Sequence, residues 1–336
     1  MAAEDLMPDA ASMARIRAEI EAWEAERASA MRGIRWRVPV YLGFVLLGVG
    51  VLAVIFNAAA DPREQYLSAP HVFLYVAGLV AAFFAWRAAR RPAAELERSH
   101  RDRLLPIAFS FIDGVSYARG TTPASFADLP REAIGDFDRQ VFDEIVSGRR
   151  GGFAFELYEA RLSRTGAGPD QSVFRGVVLA LETEAAFPGL LVATRRSGAV
   201  TRFFRDVFGD SKLTDLESGV AGLDEDYAFR SDNVAAAQPL VSGRLGRVLA
   251  WLREGWPKDP ARVALRGDRA YLLLPHEKDF FALPDINTPI DFEAHIRPIV
   301  ADLASLIATG ALIRKVNSPD EGTSGAAPAS GAGSTA

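Results

Sequence analysis

Two uncharged apolar runs, Val38 to Ala60 (VPVYLGFVLLGVGVLAVIFNAAA) and Tyr66 to Trp86 (YLSAPHVFLYVAGLVAAFFAW), constrain this chain more than any other feature. At 1.5 Å of rise per residue the first makes a helix of about 34 Å, enough for a hydrocarbon core of about 30 Å. The second is nearly as long and is uncharged unless His71, near its start, is protonated. A stretch rich in Glu and Arg precedes the first run, and no small-residue cleavage site follows a short apolar region, so the run reads as a retained span and not as a signal peptide. Arg32, Arg35 and Arg37 lie before the first span and Arg87, Arg90 and Arg91 after the second, whereas the connector holds Arg63 beside Asp61 and Glu64. The arginine bias predicts a two-pass protein with both termini cytoplasmic and only a short external loop, residues 61–65.

Partition of the rest follows. Residues 1–37 carry Met13, Ile16, Ile20, Trp23, Ala30 and Ile34 near a heptad seam interrupted by Arg27, an amphipathic helix leading into the first span (38–60). Beyond the second span (66–86), Leu96, His100, Leu104, Ile107 and Phe111 repeat at helical spacing through residues 87–120, with Pro106 expected to kink that helix. The two segments either pair as a stalk or lie on the membrane surface. Within the spans, Ala77, Ala81 and Ala85 on one helix and Gly43, Gly50 and Asn57 on the other form small-residue stripes that would let the helices approach closely. Neither span holds an acid, lysine or arginine, which argues against a channel or transporter acting alone.

Residues 121–316 alternate helix and strand signals, so the fold class is a membrane-anchored α+β chain: a transmembrane hairpin followed by a cytoplasmic, mainly antiparallel sheet packed by helices. Ile134, Phe137, Val141 and Ile145 predict a short amphipathic helix ending at Gly148 to Gly152. GFAFELYEARLSR and QSVFRGVVLALE, joined by the TGAGPD turn, predict a hairpin, and PGLLVATRR a third strand. Tyr227 and Phe229 alternate in DYAFRSD; Leu240, Leu245, Val248, Leu249 and Leu252 mark a helix. ARVALRGDRAYLLLP, with Gly267-Asp268 at its centre, predicts a tight hairpin, and a last helix runs from Asp291 to Thr309. Residues 317–336 are Gly, Ala, Ser and Pro with little apolar bulk and are expected to be disordered.

Composition narrows the chemistry. The net charge of -5 gives no general basic field, so nucleic acid is not an expected partner. The absence of cysteine removes thiol nucleophiles, disulfides and Cys-based metal sites. No phosphate-binding loop, nucleophile elbow or HExxH is present. His276-Glu277 lacks the second His, since Phe280 stands in its place. Asp291 and His295, four apart, fit a helix cap better than a metal pair. Asp136 and Asp138 would sit about 200 degrees apart on a helix and so could not share an ion. Gly243-Arg244-Leu245-Gly246 has the form of an RNA-binding GXXG loop without its strand order. Glu156 and Glu159, three apart in FELYEARLSR, point to opposite faces of a strand and so do not make a carboxylate pair. No catalytic, cofactor or metal residue is therefore assigned. Arg87, Arg90 and Arg91 are candidates for anionic lipid headgroups, each worth about 1 kcal/mol near the surface.

The order of ELYEARL, SVFRGVVLAL with FPGLLVATRR, DYAFRSDNVAA, and RAYLLLP followed by FF and a C-terminal helix resembles the bacterial two-span membrane family designated domain of unknown function 3137, over residues 35–315. AAQPLVSGRL departs from that pattern. The resemblance implies an integral protein of the bacterial inner membrane with a cytoplasmic α+β domain, and it carries over no catalytic residue. The expected function is a non-enzymatic, membrane-tethered module that binds another protein and anionic lipid. An anchored enzyme with an acidic, metal-assisted site and an accessory subunit of a larger membrane complex are the alternatives.

Overall fold

The computed structural model describes residues 6–59, 69–166, 171–196, 213–220, 222–255, 260–277 and 279–318, without the side chains of residues 34–35, 59, 90, 92–98 and 255. The predicted external loop, part of the TGAGPD turn and all but the start of the predicted tail lie outside the described residues. The chain divides into two compact units: Met1–Met7, Ile112–Phe281 and Ala301–Ala336 in one, Pro8–Phe111 and Ala282–Val300 in the other.

The second unit is built on two long helices, α1 (Ala10–Ala59) and α2 (Ala69–Ala108). The amphipathic N-terminal segment and the first apolar run are one continuous helix, as the sequence predicts. Ile16, Ile20 and Trp23 of its seam are buried, and α2 contributes Leu104 and Leu105. The segments before the first and after the second apolar run pack against each other: the rings of Trp23 and His100 are 4.9 Å apart and Arg103 lies 3.1 Å from Glu26. Pro106 falls in the last turn of α2. Further along, Gly78 lies against Val49, so close that a Cβ there would stand 2.7 Å from the valine Cγ2. His71 Nε2 is 3.2 Å from the Ala53 carbonyl oxygen.

Among the described residues three helices are long and apolar enough to cross a membrane, one more than the sequence predicts: Ala10–Ala58, Ala69–Ala89 and Phe292–Arg314. Burial separates them, because the apolar windows of the first two are 6% and 11% buried while that of the third is 67% buried. Phe44, Leu46, Phe73 and Leu79 stand exposed on the first two.

The first unit is α+β, with a seven-stranded sheet whose pairings are all antiparallel. Its strands are β1 (Asp113–Arg119), β2 (Arg139–Arg150), β3 (Phe153–Arg164), β4 (Gln171–Arg195), β5 (Thr214–Leu216), β6 (Tyr227–Ser231) and β7 (Arg262–Pro275). They run in the order β1-β2-β3-β4-β6-β5, and β7 pairs with β4 off that path. Short helices α3 (Arg131–Ile134) and α4 (Leu223–Asp226), then α5 (Val234–Val241), α6 (Arg244–Gly255) and the C-terminal α7 (Arg297–Arg314), follow among the described elements, with a 3-10 turn at Ala124–Asp128 and a π-helical turn at Phe292–Ile296; α7 crosses the division between units. Tyr158, Ala160, Leu162, Phe174, Val178, Tyr271 and Leu273 form one face's core with Leu129, Ile134 and Phe142. On the other face Gly310 of α7 comes within van der Waals contact of Leu179 and Leu181.

Four expectations are corrected. The predicted helix through Phe137, Val141 and Ile145 exists only as α3; from Arg139 the chain is strand β2, because Val141 to Val146 pair with β3 and bury Phe142, Ile145 and Val146 between neighbours. Tertiary pairing overrides a helical spacing carried by few residues. SVFRGVVLALE and PGLLVATR are not separate strands but one 25-residue strand, bent where extra residues slip into its pairing with β7 between Glu182 and Phe187 and again before Leu190. ARVALRGDRAYLLLP is not a hairpin: β7 continues through Gly267-Asp268, and both halves pair with β4. Gly267, at φ +57, accommodates the bend opposite Phe187. The predicted helix over Leu240 to Leu252 is broken at Ser242-Gly243 into α5 and α6.

Candidate functional site

Strand β2 carries a bulge opposite Glu159: Phe142 pairs with Ala160 and Ile145 with Tyr158, so Asp143 and Glu144 together face one residue of β3. Bulges redirect side chains, and this one brings Glu144 beside Glu159. Asp279, just after β7, completes the group. One carboxylate oxygen from each of the three lies within 4.8 Å of the others, with Glu144 fully buried and Glu159 8% exposed. Glu159 Oε1 accepts from the backbone N–H of Phe280 (2.6 Å) and Phe281 (3.0 Å), which fixes the segment carrying Asp279. Arg119 of β1, paired in register with Glu144, places its Nε 3.6 Å from the Glu144 carboxylate.

A cavity of about 140 Å³ opens beside the group, lined by Asp143, Glu159, Arg161, Arg175, Gly176, His276 and Asp279 among others. Its wall depends on Gly176 of the VFRG sequence: at φ +155 it runs so close to β7 that a Cβ would stand 2.1 Å from the Leu274 carbonyl oxygen. Arg161 ion-pairs with Asp143 at the rim.

Burial, and after it the Asp279 carboxylate, push the Glu159 carboxyl up to about 7, against the pull of the two backbone N–H groups. Two unit charges 4.8 Å apart repel by about 3 kcal/mol at an effective dielectric near 20, so three ionised carboxylates at this spacing favour either a bound proton or a cation. The donor set is all oxygen, which suits a hard cation such as Mg²⁺, Ca²⁺ or Mn²⁺.

In the sequence Glu159 is weighed only against Glu156 and given no role, and its partners here go unnoticed. Glu156 and Glu159 do lie on opposite faces of β3: Glu156 accepts from the backbone N–H of Ala124 (3.1 Å) and Ser125 (2.7 Å). Glu144 is missed because its segment reads as a helix; in a strand, an acid flanked by Phe142, Ile145 and Val146 would have stood out. Asp279 carries no local signal. The remaining candidates serve the fold. Asp138 accepts from Thr165 N–H and Asp232 from Leu190 N–H, while Asp136 is half-buried in the loop before β2. Asp291 caps the last helical segment through Ala294 N–H at 2.7 Å, and His295 Nδ1 accepts from the Asp291 backbone N–H. Arg244 of the GRLG sequence, at the break between α5 and α6, donates to the carbonyl oxygens of Lys315 and Ser318. His276 lines the cavity, edge-on to Phe280.

Among the predicted packing residues, Gly43 and Gly50 are exposed, with nothing within 4 Å of a Cβ built on either. Ala77 and Ala81 are exposed as well, and Ala85 is half-buried. The close helix approach is at Gly78 instead, one position along from Ala77, because the contact face of α2 runs through His71, Leu74, Gly78 and Ala82. Arg87 and Arg91 are exposed; the Arg90 side chain lies outside the described residues.

No protein-family model matches the chain, and no curated protein matches it. Among solved structures, the chain matches the crystal structure of the mycobacterial trehalose monomycolate transport factor A, TtfA, at a TM-score of 0.32 and 11% identity, over 60% of this chain and 90% of that one. A likeness at that level carries no inference about activity or partners.

Proposed function

We propose that the chain is an integral membrane protein, held by a two-span hairpin of α1 and α2, whose α+β domain works on the cytoplasmic side as an interaction module and not as an enzyme. The observation that carries this reading is the contrast in burial: the apolar windows of α1 and α2 are 6% and 11% buried, whereas the equally eligible Phe292–Arg314 helix is 67% buried. Such exposed apolar surface is stable in lipid and costly in water. Exposed Arg87 and Arg91, following exposed Trp86, suit a headgroup layer at the end of the second span. The resemblance to the two-span family designated domain of unknown function 3137 points the same way. Carbonate extraction and detergent partitioning test the anchor. The wild-type chain is expected to stay in the membrane fraction at alkaline pH, and release into the supernatant would refute it. Affinity capture from solubilised membranes, comparing the full chain with one lacking residues 120–316, tests the module; identical partner sets would count against it.

A second reading, an anchored enzyme with an acidic, metal-assisted site, is favoured by one observation: the convergence of Glu144, Glu159 and Asp279 beside a cavity. Calorimetric titration of the full chain with Mg²⁺, Ca²⁺ and Mn²⁺ separates the readings. If the site is metal-assisted, one ion binds per chain and Asp279→Asn weakens it at least tenfold. Heat of dilution alone, or binding unaffected by Asp279→Asn, removes the basis for this reading.

A further inference from the structure

The strap that returns to the helix pair, Pro284 to Ile290, is held by three of its backbone groups. Arg27, 5% exposed, donates from Nη1 to the Ile286 carbonyl oxygen at 2.8 Å and from Nε and Nη2 to both carboxylate oxygens of Glu24. Glu24 in turn accepts from the Ile290 N–H at 3.1 Å. His100 of α2 makes the third hold, with Nε2 3.0 Å from the Pro284 carbonyl oxygen.

That third hold differs from the others in chemistry. A carbonyl partner requires Nε2 to carry the proton, so in the neutral ring Nδ1 is an acceptor. Nδ1 is buried with no hydrogen-bond partner, and the ring is 6% exposed against Trp23, at 4.9 Å between centroids and 59°. A second proton would therefore create a buried N–H without an acceptor and a cation without solvent. The charged groups around it offer little relief. From α1, Arg27 disfavours the cation while the Glu24 carboxylate, shared with Arg27, attracts it; from α2, Arg101 disfavours it; from the strap, the Pro284 carbonyl and Asp285 favour it. Burial outweighs the rest and moves the imidazole below its ordinary value.

We propose that residues 284–290 form an acid-released strap: a second proton on His100 leaves Nε2–H on the Pro284 carbonyl but puts a cation and an unpaired Nδ1–H into the buried contact, so the ring moves out to water and the strap leaves α1 and α2. The released ring gains water for Nδ1–H and separates from the arginines. Since the neutral form is favoured when folded, the contact is complete above the unfolded imidazole value near 6.5 and is lost as the pH falls toward the lower folded value.

Hydrogen–deuterium exchange of the full chain in lipid nanodiscs, corrected for intrinsic rates, reads the strap directly. Between pH 7.5 and 5.0 the peptide covering 284–290 is expected to lose protection at least tenfold. His100→Gln, which keeps an N–H for Pro284 and does not titrate, should hold the strap closed at pH 5.0. Glu159→Gln should leave the response intact; it controls for Glu159, whose carboxyl also titrates in this window. Unchanged protection in the wild type, the same release in His100→Gln, or loss of the response in Glu159→Gln alone would each overturn the proposal. Should His100→Gln fail to fold, histidine C2 exchange in the wild type decides. Half-titration of His100 below 6.5, coincident with strap opening, supports the latch, and a value at or above 6.5 contradicts it.

Discussion

Glu159 owes its state to its neighbours and not to its own chemistry. A carboxyl in water titrates near 4.5, and burial beside Asp279 raises this one to about 7. Between those values the folded chain keeps a proton that the unfolded chain has released, so the contribution of Glu159 to stability falls as pH rises through the window and is constant above it. Glu159→Gln removes the charge and keeps an oxygen for the N–H groups of Phe280 and Phe281. The variant is expected to gain on the order of 1–2 kcal/mol over the wild type at pH 8 and nothing at pH 4.5. Denaturant midpoints at both pH values measure this; a difference between the chains that does not change with pH would contradict it. At this scale the sequence is half legible. The alternation of Phe153, Phe155 and Leu157 around Glu156 marks β3 and assigns Glu159 a face, but the acids across from it depend on a bulge and on a loop distant in sequence.

Among the elements, strands that pair along β4 are where sequence and structure part. A tight-turn signal such as Gly267-Asp268 says that a chain can reverse, not that it does; here the long partner strand rewards continuing. The helix period over Ile134 to Ile145 fails for the same reason, since β3 supplies pairing that a local pattern does not report. The helical segments with long apolar periodicity, α1, α2 and α7, are legible because their spacing repeats over many turns. Two glycines test the account of the β4–β7 pair. Gly176→Ala would drive a Cβ into the Leu274 carbonyl, forcing the strands apart at a cost of about 3 kcal/mol or more. Gly267→Ala, at φ +57 with open space around it, should cost only about 1 kcal/mol. Thermal unfolding of the two variants gives the ranking, and equal losses, or a greater loss at Gly267, would refute it.

At the scale of the molecule, length and apolarity nominate three helices among the described residues, and burial singles out α1 and α2 as those whose apolar windows are mostly exposed. The proposed orientation rests on the arginines at their ends. Because the chain has no cysteine, single introduced thiols report topology without background. In intact cells, Gln65→Cys should react with a membrane-impermeant maleimide, whereas Thr122→Cys should react only after lysis. Labelling of Thr122→Cys in intact cells, or protection of Gln65→Cys until lysis, would contradict the two-span, cytoplasmic-domain account.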